Sequence, residues 1–233
     1  MHRDHPMLLN ARDAQRRRLL LSMMGAGLGA SALLREVSAQ NLIPEQQGVR
    51  RLDGNVRING LPAALGAPVR PGDAVTTGSN AYTMFVVGRD AYLMRENSRV
   101  EIAGSSLLVG SLRLLTGKLL GVFGRRDARM ELSTPTATIG IRGTGGYLEA
   151  DPDRTYFCLC YGVADVMPTG MPGMREIYST LHHEAPHFIY GSDHPTMMET
   201  APLVNHTDAE LVLLEGLAGR TPPQTFMDRM GTY

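Results

Sequence analysis

Short apolar runs separated by glycine, proline and Asx turns govern residues 48–167. Val56-Arg57-Ile58 runs into Asn59-Gly60, the pair that most favours a tight antiparallel reversal. Pro71-Gly72-Asp73 marks the next reversal. A seven-residue apolar run from Ala81 ends at Gly88-Arg89-Asp90, and Arg99-Val100-Glu101-Ile102 then alternates cleanly. Further runs follow at residues 91–94, 112–115, 118–123, 129–132, 137–141, 147–149 and 155–163. Strand-like segments at this spacing, with almost no helical periodicity, predict an all-β fold, whether sandwich, barrel or solenoid. One later stretch breaks the pattern. Thr207-Asp208-Ala209-Glu210 is a capping box, followed by Leu211, Leu214 and Ala218 at helical spacing, then Gly219 and Pro222-Pro223. It predicts a helix over 208–218 whose leucines pack on the sheet, a structural element and not part of a site.

Ahead of the strands lies an address. Arg16-Arg17-Arg18 precedes a sixteen-residue apolar run, 19–34, diluted by Ser22, Gly25, Gly27, Gly29 and Ser31 and closed by Val37-Ser38-Ala39. That run falls short of the ~20 residues a spanning helix needs, so residues 1–39 read as a cleaved signal peptide. The paired arginines and soft apolar core resemble a twin-arginine (Tat) signal, the bacterial route for proteins that fold before export. The expected location is therefore periplasmic or secreted, with no stable membrane span after cleavage.

The leader holds six arginines against three acids, which leaves 17 basic and 20 acidic residues in the mature part. That slight acidic excess offers no footprint for nucleic acid. Lys118 is the only lysine. No Gly-x-Ser-x-Gly elbow and no His-Glu-x-x-His motif occurs, so no enzyme is expected. The glycines of Gly140-Ile141-Arg142-Gly143-Thr144-Gly145-Gly146 are followed by no Gly-Lys-Ser/Thr, and they read as a turn between strands, not a phosphate loop.

The order of the segments carries a resemblance. Gly54-Asn55-Val56-Arg57-Ile58-Asn59-Gly60 comes first, then Val69-Arg70-Pro71-Gly72-Asp73-Ala74-Val75-Thr76-Thr77-Gly78 and Arg95-Glu96-Asn97-Ser98-Arg99-Val100. Leu115-Thr116-Gly117-Lys118-Leu119 and Thr134-Pro135-Thr136-Ala137-Thr138-Ile139-Gly140-Ile141-Arg142-Gly143-Thr144 complete the series. Together, over residues 48–166, they resemble the FecR-like periplasmic domain. The resemblance implies a β-solenoid or sandwich-type module used for binding or sensing, with an unidentified protein or small ligand of the periplasm as partner. Residues 167–233 then form a C-terminal extension. FecR-like regulators place a cytoplasmic anti-sigma domain ahead of this module. Here only about fifteen residues precede the arginines, so no anti-sigma activity is expected.

Two cysteines remain to be placed. In an extended strand Cys158 and Cys160 share a face, with Cα atoms about 6.6–6.8 Å apart, near the upper limit for a disulfide. That leaves a metal site, a redox pair or two inert thiols. Downstream lie His182, His183, His187 and His206; in extended chain His183 and His187 would face the same way. Two thiolates and two imidazoles make a common tetrahedral zinc set, and soft sulfur also suits copper or iron. Tat export serves many proteins that take up their metal before crossing. The candidate metal ligands are thus Cys158, Cys160, His182, His183, His187 and His206.

Overall fold

The computed structural model describes residues 47–231 apart from Leu107 and Pro172. The signal peptide expected at 1–39 lies outside the described residues. The chain forms β1 (Gly48–Asp53), β2 (Val56–Ile58), β3 (Leu61–Pro62), β4 (Ala74–Thr77), β5 (Tyr82–Val87), β6 (Asp90–Met94) and β7 (Arg99–Ser105). There follow β8 (Leu108–Val122), β9 (Met130–Ser133), β10 (Ala137–Ile141), β11 (Gly145–Ala150) and β12 (Arg154–Pro168). The extension adds β13 (Glu176–Thr180), β14 (Pro186–Tyr190), β15 (Met198–Thr200), helix α1 (Asp208–Leu217) and a final turn of helix, α2 (Gln224–Met227). The fold is all-β with a small C-terminal helical extension, as the spacing of apolar runs predicts.

Two strands organise everything else. β8 and β12 are each 15 residues long, and each passes through two sheets. The first half of β8 pairs with β7 and β9, its second half with β6 and β11. The first half of β12 pairs with β11 and β14, its second half with β10 and β13. Each half belongs to a different sheet, so the strand must bend where it crosses over. The bends fall on Gly117 (φ +88°) and Gly162 (φ +100°), conformations open to glycine and costly for other residues. This corrects one expectation: the runs 112–115 and 118–123 are one bent strand, not two joined by a turn.

Between the sheets lies a core that includes Phe85, Tyr92, Val100, Leu112, Leu148, Phe157 and Ile189. The sheet made by β1, β5, β6, the end of β8, β11, the start of β12, β14 and β15 is apolar on its other face too. Met84 and Val86 point to that outer face while Phe85 and Val87 point to the inner one. Strands buried on both faces lose the alternation that marks a half-exposed strand, which is why β5, β6 and β12 read as continuous apolar runs. The outer face is covered by the extension. Leu211, Leu214 and Phe226 join Met84, Leu93, Leu120, Tyr147 and Tyr161 in a second cluster. β13 and β14 hydrogen-bond to β12, and β15 to β14, so the extension is woven into the fold.

A methyl group on Gly117 would sit 2.2 Å from Ser98 Oγ and 2.5 Å from Ser98 Cα. Backbone strain adds to that overlap, so Gly117→Ala is expected to cost at least about 2 kcal/mol. Thermal unfolding should fall by about 4 °C or more for a domain of this size. An unchanged midpoint would show that the crossing does not need glycine.

Candidate metal centre

Cys158 and Cys160 occupy alternate positions of β12 and point outward, beneath the covering extension. Two loops of that extension bring histidines over them. The loop after β13 is pinned by the His183 amide, which donates to Cys160 O at 3.0 Å, and by the Thr180 hydroxyl, which donates to Leu159 O at 2.9 Å. His183 adopts φ +51°, an uncommon left-handed conformation that swings its ring inward. The segment before α1 delivers His206, preceded by another left-handed residue, Asn205. Arg95 fixes this segment by donating to Asn205 O at 2.7 Å and pairing with Glu210 at 2.8 Å. The capping box over Thr207 and Glu210 forms as the sequence predicts.

The outcome is a buried cluster of Cys158, Cys160, His183 and His206, whose ligand atoms all lie within 4.8 Å of one another. Cys158 and Cys160 are 0% exposed, His183 4% and His206 7%. His183 Nδ1 lies 3.5 Å from Cys158 Sγ and 3.1 Å from His206 Nε2. Tetrahedral zinc with bonds of about 2.0–2.1 Å to nitrogen and 2.3 Å to sulfur has N···N edges of about 3.3 Å and S···N edges of about 3.6 Å. The two observed separations fall close to those edges.

The outer nitrogens decide the chemistry. His206 Nδ1 lies 2.7 Å from Val204 O, which can only accept, so Nδ1 carries the hydrogen and Nε2 a lone pair. His183 Nε2 lies 3.0 Å from Asp208 Oδ1, which places its hydrogen there and a lone pair on Nδ1. Two lone pairs then face each other across 3.1 Å, an arrangement that requires a proton or a cation between them. A carboxylate or carbonyl behind each ligating imidazole is the usual support of a metal-bound histidine. The Tyr147 ring stacks on His206 at 4.5 Å and limits its tilt.

Protonation within the cluster is uneven. Bonding to Cys160, then to His183 and His206, outweighs burial and holds the Cys158 thiol down to about 4. Burial, then the adjacent Cys158 thiolate, pushes the Cys160 thiol well up. Burial is the largest single influence on His183 and favours the neutral ring, but bonding and charge from Cys158 and then Asp208 raise its pKa above the usual value. Without metal, Cys158 is thus biased toward the thiolate and the adjacent His183 toward the protonated ring.

Four of the six predicted ligands therefore converge. His182 falls in a second group, with His183 and Asp208, whose ligand atoms also lie within 4.8 Å of one another. Its Nε2 lies 3.0 and 3.1 Å from the two Asp208 oxygens and its ring packs on Phe226, so it orients Asp208 behind His183. His187 is elsewhere. It pairs with Phe157 across β12 and β14, which puts it on the inner face, opposite Cys158, with its ring tilted against Tyr178 at 4.6 Å. The expected shared face of His183 and His187 fails because His183 lies in a turn with left-handed backbone, which resets the alternation before β14 begins. Asp208, read from sequence only as part of a helix start, binds both His182 and His183, so the first turn of α1 does belong to the site. Its proximity to His206, two residues earlier, was the available signal.

No family model matches the sequence, and no curated protein does. Among solved structures the chain is similar to two crystal structures of a candidate anti-sigma factor from Parabacteroides distasonis ATCC 8503. One has TM-score 0.47 and 9% identity and covers 61% of this chain and 65% of that one. The other has TM-score 0.45 and 7% identity and covers 55% and 59%. The chain thus spans less than two thirds of the length of either.

Metal binding needs both sulfurs as thiolates and both rings neutral. Cys160 enters as a thiol and His183 with a raised pKa, so binding releases protons and affinity rises with pH. Titration of zinc from about pH 6 to 8 should show affinity climbing about tenfold per unit for each proton released. A flat profile would contradict these protonation states. Asp208→Asn should weaken zinc binding by about 10–100-fold while leaving the fold intact by circular dichroism.

Proposed function

We propose that this chain is a metal-binding module of the bacterial periplasm, FecR-like in its β-domain, in which one zinc ion fastens the C-terminal extension over the outer sheet face. The observation that carries the reading is the pair of outward-anchored imidazoles whose inner lone pairs meet two buried cysteine sulfurs. Charge supports zinc: a divalent ion with two thiolates is neutral, which suits a site with almost no solvent contact. The S2N2 donor set also favours zinc among common metals. All four positions come from protein, so the centre is closed, as structural zinc sites are, with no open position for substrate.

The ligands come from three places in the chain: β12, the loop after β13 and the segment before α1. Metal bound there opposes separation of the extension from the sheet. Metal present at a thousand times its dissociation constant stabilises the closed form by about 4 kcal/mol. Metal availability would thereby set how firmly the apolar outer face is covered, a physical basis for sensing. The Tat-like leader fits this reading, since folding before export lets the site fill beforehand.

Protein purified without a His-tag should contain about one zinc per chain by elemental analysis. Cys158→Ser and Cys160→Ser should abolish it, and His187→Ala should retain it. Copper or iron in place of zinc would overturn the metal's identity, and absence of any bound metal after zinc reconstitution would overturn the reading. Replacement of Arg16 and Arg17 by lysine should block export; unchanged export would remove the Tat assignment.

A further inference from the structure

A second concavity, of about 800 Å³, lies between the start of β8, the loop from β8 to β9 and the bend after β10. It shares no residue with the metal centre. Arg89, Arg125, Arg126, Arg129 and Arg142 line it, against one acid, Asp127. Five guanidinium groups gathered at one cleft stand out in a chain whose mature part is slightly acidic.

Their partners separate structural from available arginines. Arg126 is committed: it pairs with buried Asp90 and donates to Val109 O at 2.7 Å and Gly124 O at 3.2 Å. Arg129 is half committed. Its Nη1 lies 3.4 Å from Asp165, but that carboxylate is held more closely by Arg175, at 2.7 and 3.2 Å. Arg129 Nη2 is buried with no partner. Gly140 makes room for this guanidinium, since a methyl group there would fall 1.5 Å from Arg129 Nε. Arg89, Arg125 and Arg142 are exposed, and among the described residues none of their guanidinium groups has a hydrogen-bonded acceptor. With Asp90 neutralising Arg126 and Asp127 one more, about three positive charges remain unbalanced.

We infer that this arginine-lined cleft binds a phosphate-bearing anion, with Arg125, Arg129 and Arg142 as the recognising groups. Guanidinium forks match the paired oxygens of phosphate. Several unbalanced forks favour a ligand with more than one phosphate, or a phosphate displayed on a surface. Like charges confined around a concavity raise the local concentration of such an anion. The committed Arg126–Asp90 pair lies at the buried side of the cleft.

Isothermal titration of the zinc-loaded protein with pyrophosphate at low ionic strength tests this. One site is expected, weakened at least tenfold in Arg125→Ala/Arg142→Ala and unchanged in Arg70→Ala/Arg113→Ala, which removes two exposed arginines outside the cleft. Added salt should weaken binding steeply. No binding, or equal loss in both double variants, would overturn the site. Sedimentation with phosphatidylglycerol vesicles distinguishes the source: capture lost in Arg125→Ala/Arg142→Ala assigns a lipid headgroup, and pyrophosphate binding without capture assigns a soluble phosphate. Equal capture by both double variants would overturn the lipid assignment.

Discussion

The sheet that carries β5, β6 and β12 is apolar on both faces, and neither can be left to water. Its inner face is covered by the second sheet, which β8 and β12 make inseparable from the first by running through both. Among the described residues its outer face is covered by the extension. Leaving residues such as Leu93, Leu120 and Tyr147 exposed forgoes about 1.5–3 kcal/mol for each large apolar side chain. The extension is therefore required, although it contains one helix of 10 residues and a few short strands.

So short a cover has little core of its own, and its attachments are correspondingly specific. Tyr156 donates its hydroxyl hydrogen to Pro202 O at 3.0 Å, and Asn205 donates to Glu149 at 2.7 Å. Buried Glu215 accepts from Tyr161 at 2.5 Å and pairs with Arg220 at 2.6 Å. The cysteine–histidine cluster sits among the same attachments. It lies where the cover meets β12, and two of its four ligands come from the cover. Burying two sulfurs and two imidazoles beneath a sheet face is unfavourable unless their polar demands are met. Asp208 and Val204 meet those demands from outside, and the proposed cation would meet them from inside.

Much of this was legible in the sequence because it depends on local period. The strands, the Asn59-Gly60 hairpin, the capping box and the common face of Cys158 and Cys160 follow from residues within a few positions of each other. The bends at Gly117 and Gly162 were harder to read. A glycine flanked by apolar runs looks the same whether it ends a strand or lets one cross between sheets, and only the partners on each side tell. The histidines divide on the same principle. His206 reaches β12 through a contact spanning more than forty residues, which no periodicity encodes. His187 was misplaced because alternation was carried through a turn where His183 takes left-handed backbone.

Charge gives the two sites different characters. At the cysteine–histidine cluster the two sulfurs are buried and the Asp208 carboxylate is half-buried, so the field there is less screened by salt than at an open surface. The proposed ion would be chosen by donor type and geometry, and its escape would require the cover to loosen. At the arginine cleft the charges face water, where any occupant exchanges readily and is sensitive to ionic strength. One sheet system thus carries a closed cluster of potential metal ligands and an open cleft of arginines. Because the two share no residue, filling the first can stiffen the outer face without altering the arginines of the second. A change in anion binding on metal removal would then have to travel through β8 or β12, the strands that run between the sheets.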